Sequence, residues 1–208
     1  MFMERIFMNY DKIHNLELIG RGFEGRVFKL NDNTAIKIFS CSNIIIPEFK
    51  FSNLNLKYIV LPKEKIYIGN VLKGYTMNYI KGISLNKTNI SNNYDLLINI
   101  CKETKREIQL VSNNQIPFSD LNEKNIIYNN AFYLIDCLSK RNLNISKEEC
   151  CKNNLKEFYK IIFYKLLNEN KFLMNKILKS NELKNLYMNS IPYTDLPYFL
   201  QKIKTRIN

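Results

Sequence analysis

The spacing of hydrophobic positions changes about two-fifths of the way along the chain. Up to residue 80 they come in short alternating runs: GRVFKL (25–30) and TAIKIF (34–39) flank Asn31-Asp32-Asn33, a turn signal that predicts a hairpin. HNLELI precedes this pair. YIVLPKEKIYI and VLKGYTMNYI continue it with a second turn at Gly69-Asn70, giving about five strands. From residue 92 the period lengthens, and Tyr94, Leu97, Ile98, Cys101, Ile108 and Val111 share one side of a helix. NLKEFYKIIFYKLLNEN and NKFLMNKILKSNELKNLYM predict two more helices, and DLPYFLQKIKTRI a last one opening at Asp195 with a proline in its first turn. The pattern is α+β, strands first and helices second, with KGISLNKTNISNN as the junction and no internal repeat.

Composition narrows the class. At 208 residues with 46% hydrophobic and 12% aromatic content, the chain can bury a core as one domain or a two-part unit. No apolar run approaches the roughly 20 residues that cross a bilayer, and MFMERIFMNYDK has acidic residues and no small-residue cleavage pattern. These features predict a cytoplasmic protein without a cleaved signal; export by a route needing no N-terminal signal stays open. Five cysteines and one histidine form no metal-ligand pattern, so no zinc site is expected.

The net charge of +12 is diffuse: residues 1–80 hold 11 basic and 7 acidic side chains, and residues 81–208 hold 20 and 12. With only two alanines, the composition resembles that of an A/T-biased genome. A spread-out excess suits an acidic partner but lacks the clustered Lys and Arg of a nucleic-acid face.

Three features carry candidate chemistry. GRGFEGRV places Gly20, Gly22 and Gly25 between two strand-like runs, where they suit either a hairpin turn or a loop approached closely by phosphate. A second strand rather than a helix follows, which excludes a dinucleotide site, and Gly25-Arg26-Val27 lacks the Gly-Lys-Ser/Thr of a P-loop. Lys37 alternates with Ala35 and Phe39 on one strand face, either as a solvated lysine or as an enclosed ammonium needing anions. In FSDLNEKNIIYNNAFYLIDC, Asp120 and Asp136 adjoin strongly apolar residues, which predicts carboxylates held at a core boundary.

Taken in order, these stretches resemble the protein-kinase-like superfamily from about Leu18 to Asp136. GRGFEGRV, ending on Val27, resembles its Gly-rich loop, and Ala35-Ile36-Lys37 its third-strand lysine motif. Glu48 is similar in position to the helix glutamate that pairs with that lysine. GYTMNYIKG resembles the hinge, with Met77 as gatekeeper and the backbone of Asn78 and Ile80 facing adenine. FSDLNEKN is similar to the catalytic loop, and LID ends on Asp136, the metal-binding aspartate.

The resemblance implies a bilobal kinase-like fold: an N-terminal antiparallel β-sheet lobe with one helix over residues 1–80, and a reduced α-helical C-terminal lobe over 81–208. It implies ATP and Mg²⁺ as cofactors, Asp120 orienting the acceptor hydroxyl, Lys124 neutralising the transferring phosphate, and Asn125 and Asp136 as metal ligands. It also implies a serine/threonine protein kinase able to phosphorylate itself, on a protein substrate the sequence does not identify.

Departures keep two alternatives open. Phe118 and Ser119 stand where the family has His and Arg, and Cys137-Leu138 follows Asp136 in place of Phe-Gly. Only 72 residues follow Asp136, without an Ala-Pro-Glu motif, so a reduced peptide platform is expected. A small-molecule kinase of the aminoglycoside and choline phosphotransferase type is one alternative, and a pseudokinase acting as a binding module is the other.

Overall fold

The computed structural model describes residues 4–41, 56–139 and 142–207. An antiparallel-rich sheet comes first and a helical part second, an α+β architecture. The chain divides into two units: Met1–Asn55 with Val60–Lys81, and Leu56–Ile59 with Gly82–Asn208. Among the described residues no helix is long and apolar enough to cross a membrane.

The first unit contains β1 (Arg5–Met8), α1 (Tyr10–His14), β2 (Glu17–Arg21), β3 (Gly25–Lys29), β4 (Thr34–Phe39), β5 (Lys65–Ile68) and β6 (Val71–Asn78). Its sheet runs in the order β1-β5-β6-β4-β3-β2, with every neighbouring pair antiparallel except β1 and β5. The Asn31-Asp32-Asn33 turn forms because the Asn31 side-chain oxygen accepts the Asn33 N–H at 2.9 Å, while the Thr34 carbonyl accepts from Leu30 and Asn31. Gly69, at φ +59°, supplies the left-handed residue between β5 and β6.

Alternation sends Phe28, Ile36 and Ile66 to one sheet face, where they form a core with Met8 and with Ile13 of α1. Full burial of such a side chain is worth about 1.5–3 kcal/mol. Two details differ from the sequence pattern. β1 is an additional edge strand, and YIVLPKEKIYI contributes only its last four residues to the sheet, because Pro62 offers no N–H to a ladder and Leu56–Ile59 belongs to the second unit.

The second unit holds a small sheet, β7 (Ile83–Ser84), β8 (Ile126–Tyr128) and β9 (Phe132–Leu134), in the order β7-β8-β9. Its helices are α2 (Tyr94–Ser112), α3 (Lys147–Glu169), α4 (Leu173–Lys179), α5 (Asn181–Met188), α6 (Ile191–Thr194) and α7 (Leu196–Ile207). Side-chain caps start the long ones: Asn93 accepts from Leu96 N–H at 3.2 Å and Ser146 from Glu149 N–H at 3.0 Å. The single helix expected over residues 170–188 is two, because Ser180 adopts an extended backbone and caps α5 through Leu183 N–H. Helices α2, α3 and α7 bury Leu97, Ile108, Phe158, Phe163, Phe199 and Ile203, with the Phe163 and Phe199 rings meeting edge-on at 5.6 Å.

Candidate functional site

In the first unit, strand register aligns the candidate binding residues. Gly20 lies opposite Val27, Val27 opposite Lys37, and Lys37 opposite Tyr75, so this row crosses four strands on one face. Ala35 shares that face two residues before Lys37 and lies opposite Met77. The face is the one opposite the Phe28, Ile36 and Ile66 core. Ala35, Lys37 and Met77 are buried, Lys37 to 4% exposure, which selects the enclosed ammonium over a solvated one.

The Lys37 ammonium has an anionic partner: Nζ donates to Glu24 Oε2 at 2.9 Å and lies 4.9 Å from the centre of the Phe39 ring. Glu24 is anchored at its own backbone, where its carbonyl accepts the Ser40 N–H at 2.8 Å; Gly22 N–H closes the hairpin on the Gly25 carbonyl at 2.9 Å. Gly25 must be glycine, since a Cβ there would lie 2.2 Å from the Ile38 carbonyl oxygen. At the hinge-like stretch, Asn78 is exposed opposite Thr34, Ile80 is partly buried, and the intervening Tyr79 N–H is taken by the Asn33 carbonyl. Glu48 lies outside the described residues.

In the second unit, Asp120, Asn125 and Asp136 are brought together by backbone pairing. Ser119 N–H donates to the Cys137 carbonyl at 2.7 Å, Ser139 N–H to the Pro117 carbonyl at 3.1 Å, and Ile135 N–H to the Asn125 carbonyl at 2.9 Å. The Asn125 amide nitrogen donates to the Asp120 carbonyl at 2.8 Å, and Asn122 donates to the same carbonyl at 2.9 Å. Lys124 is exposed on the 3-10 turn Glu123–Asn125, its N–H accepted by Asn122 Oδ1 at 2.9 Å.

Asp120 and Asp136 both hold left-handed backbone, at φ +55° and +52°. That conformation costs a non-glycine residue about 1–3 kcal/mol and clusters where surrounding structure dictates geometry. The expectation of carboxylates at a core boundary is corrected here: both side chains are exposed, while the adjoining Ile126, Leu134 and Cys137 are buried. The apolar neighbours anchor the backbone and the acids face outward. Burial, with the Asp136 charge beside it, pushes the Cys137 thiol far above its ordinary range, so it is a neutral anchor and no nucleophile.

Two buried polar residues brace this loop pair. Asn154 of α3, 1% exposed, accepts the Phe118 N–H at 2.7 Å and donates to Ser112 Oγ and the Ile116 carbonyl, both at 3.0 Å. Glu107 of α2 accepts the N–H groups of Lys57, Tyr58 and Ile59 at 2.7, 2.7 and 2.9 Å. Tyr58 in turn accepts the Leu134 N–H at 2.7 Å, two residues before Asp136. Glu24, Glu107 and Asn154 were not among the sequence candidates. Glu107 and Asn154 sit at helical spacing among apolar positions, and Glu24 is the one acid within the glycine run.

The donor set suits a hard cation. Asp136 carries a carboxylate and Asn125, its amide nitrogen engaged with Asp120, an amide oxygen; both are hard oxygen donors, and Mg²⁺ takes one or two such protein ligands and completes its shell with phosphate and water. Among the described residues no group of three or more His, Cys, Asp and Glu side chains forms a metal cluster. No protein-family model matches the chain, and no curated protein matches it.

Proposed function

We propose that the chain is an ATP- and Mg²⁺-dependent phosphotransferase of the protein-kinase-like superfamily, acting on serine or threonine and able to phosphorylate itself. The observation that carries this reading is the loop pair of the second unit. Two left-handed, exposed aspartates are held by backbone hydrogen bonds, and Asn125 joins them, its amide nitrogen donating to the Asp120 carbonyl and its own carbonyl accepting the N–H of Ile135, the residue before Asp136. Phosphoryl transfer asks a protein mainly to position groups and neutralise charge. In this reading Asp120 accepts or orients the acceptor hydroxyl's proton, Lys124 meets the transferring phosphate, and Asn125 and Asp136 hold Mg²⁺, whose contribution is charge neutralisation on the phosphate oxygens. In the first unit, the sheet face bearing Gly20, Val27, Ala35, Lys37 and Met77 is assigned to the nucleotide, with Lys37 on its phosphates. The backbone of Asn78 and Ile80 is assigned to adenine.

One observation favours a second reading, a small hydroxylated acceptor. After Asp136 the chain pairs straight back, Leu138 bridging Phe118 and Asn142 N–H donating to the Gln115 carbonyl, before Ser146 caps α3. This short return leaves little chain for a peptide platform.

The test is incubation with labelled ATP and Mg²⁺, followed by intact-mass measurement and a screen of hydroxylated metabolites for ATP consumption. Phosphate on the protein supports the first reading, turnover of a small alcohol the second, and neither outcome under varied metals removes both. Asp120→Asn is expected to lower the rate at least about 100-fold and Asp136→Asn to abolish metal-dependent turnover. Asp120→Asn should leave stability within about 0.5 kcal/mol, because the side chain is exposed and Asn tolerates left-handed backbone.

A further inference from the structure

Lys37 is almost fully enclosed, yet the carboxylate that meets it is not: the Lys37 side chain is 6% exposed and that of Glu24 66%. An enclosed ammonium needs a counter-charge, because an uncompensated one loses its hydration without return. Glu24 is a partner that brings such a charge, from the tip of the β2–β3 hairpin. The Ser40 N–H pins its carbonyl, while its side chain reaches Lys37 from the solvent side and can leave by rotation without moving the strands.

From this asymmetry we infer that Glu24 is a built-in competitor for the anion site at Lys37: its carboxylate occupies the ammonium until a polyphosphate displaces it, and so it sets the affinity of that site. This rests on the nucleotide assignment made above and adds a residue to it. A phosphate chain approaching Lys37 meets a carboxylate of like charge, so binding requires the fraction of molecules in which Glu24 has swung away. Apparent affinity is lowered by that fraction, and removing the carboxylate restores it. The pair is also a selectivity device. A ligand must offer more favourable charge than one carboxylate to take its place, which di- and triphosphates do and neutral ligands do not.

The experiment is calorimetric titration of Mg²⁺-free ATP, and separately of inorganic tripolyphosphate, into wild type, Glu24→Gln and the double variant Glu24→Gln/Lys37→Met. Glu24→Gln is expected to bind both probes about 3- to 10-fold more tightly than wild type, and the double variant to lose the gain. Equal or weaker binding by Glu24→Gln, with saturable ATP binding by wild type, overturns the competitor role and leaves the nucleotide assignment standing. Binding of neither probe by any variant overturns both. If thermal melts show Glu24→Gln misfolded, Glu24→Asp takes its place: one methylene shorter, it loses reach to Lys37 and must shift affinity in the same direction, or the inference fails.

Discussion

Asn154 holds Phe118 through the shortest of its hydrogen bonds, 2.7 Å from the Phe118 N–H to Oδ1, and thereby ties α3 to the segment that leads into Asp120. Its amide nitrogen uses the remaining capacity on Ser112 Oγ and the Ile116 carbonyl. Replacing Asn154 by Leu, with the same branching but no polar atoms, takes this partner from the Phe118 N–H and the Ile116 carbonyl, while Ser112 Oγ keeps its bond to the Ile108 carbonyl. Each unsatisfied group costs about 1–3 kcal/mol, so a loss of at least about 2 kcal/mol is expected in denaturant titrations. Asn189→Ala, which removes an exposed side-chain bond to the Asn185 carbonyl, should change stability by less than about 0.5 kcal/mol.

Glu107 gives a local prediction of the same kind. One carboxylate accepts three consecutive backbone N–H groups, and no side-chain amide can do so, because half of an amide is a donor. Glu107→Gln should therefore expose the Lys57, Tyr58 and Ile59 amides to hydrogen exchange, with the Leu134 amide following because its acceptor is the Tyr58 carbonyl. Exchange in β2 and β3 should be unaffected.

How far the sequence revealed these features follows from the range of the interactions. The hairpin at Asn31-Asp32-Asn33 and the cap at Asp195, which accepts the Tyr198 N–H, are set by residues two or three apart, and both were readable. The change from strand to helix period was readable for the same reason. β1 was not, because its pairing with β5 joins Arg5 to Lys65 and no local pattern specifies a partner sixty positions away. The break at Ser180 was hidden because helical periodicity continues through it. At the candidate site the spacing of Asp120, Asn125 and Asp136 could be seen, whereas their exposure could not. Apolar neighbours are shared by an acid at a core boundary and an acid turned outward, and the left-handed backbone that distinguishes these two lies beyond composition.

The glycine run separates a structural need from a functional one. A Cβ on Gly25 would lie 2.2 Å from the Ile38 carbonyl oxygen and 2.9 Å from Phe39 Cα, so Gly25→Ala must part β3 from β4. A loss of more than about 2 kcal/mol is expected. A Cβ on Gly20 would meet only the Val27 side chain, at 3.5 Å, an ordinary contact. Gly20 lies in the row with Val27 and Lys37, so Gly20→Ala should keep its denaturation midpoint and weaken ATP binding. Equal destabilisation by the two substitutions would contradict this division.

Glu182 makes the pH dependence of the helical unit testable. Its carboxylate joins α5 to α7 through Lys202 Nζ at 2.8 Å and Arg206 Nη2 at 2.7 Å. The hydrogen bond from Lys202, then that from Arg206, hold its pKa below the ordinary glutamate value of 4.5, and Glu182 in turn raises Lys202 above 10.5. A carboxyl group whose folded pKa lies below its unfolded one stabilises the fold fully above the unfolded value, and that contribution fades as pH falls through the folded value. For the raised lysine the contribution is full below 10.5 and fades as pH rises past it. Glu182→Gln should therefore lower the thermal midpoint at pH 7, and the gap to wild type should narrow progressively below pH 4.5. These groups are solvent-accessible, so about 1 M salt should close most of the gap at pH 7 as well. A gap that persists at low pH and in high salt would assign the effect of Glu182 to packing rather than charge.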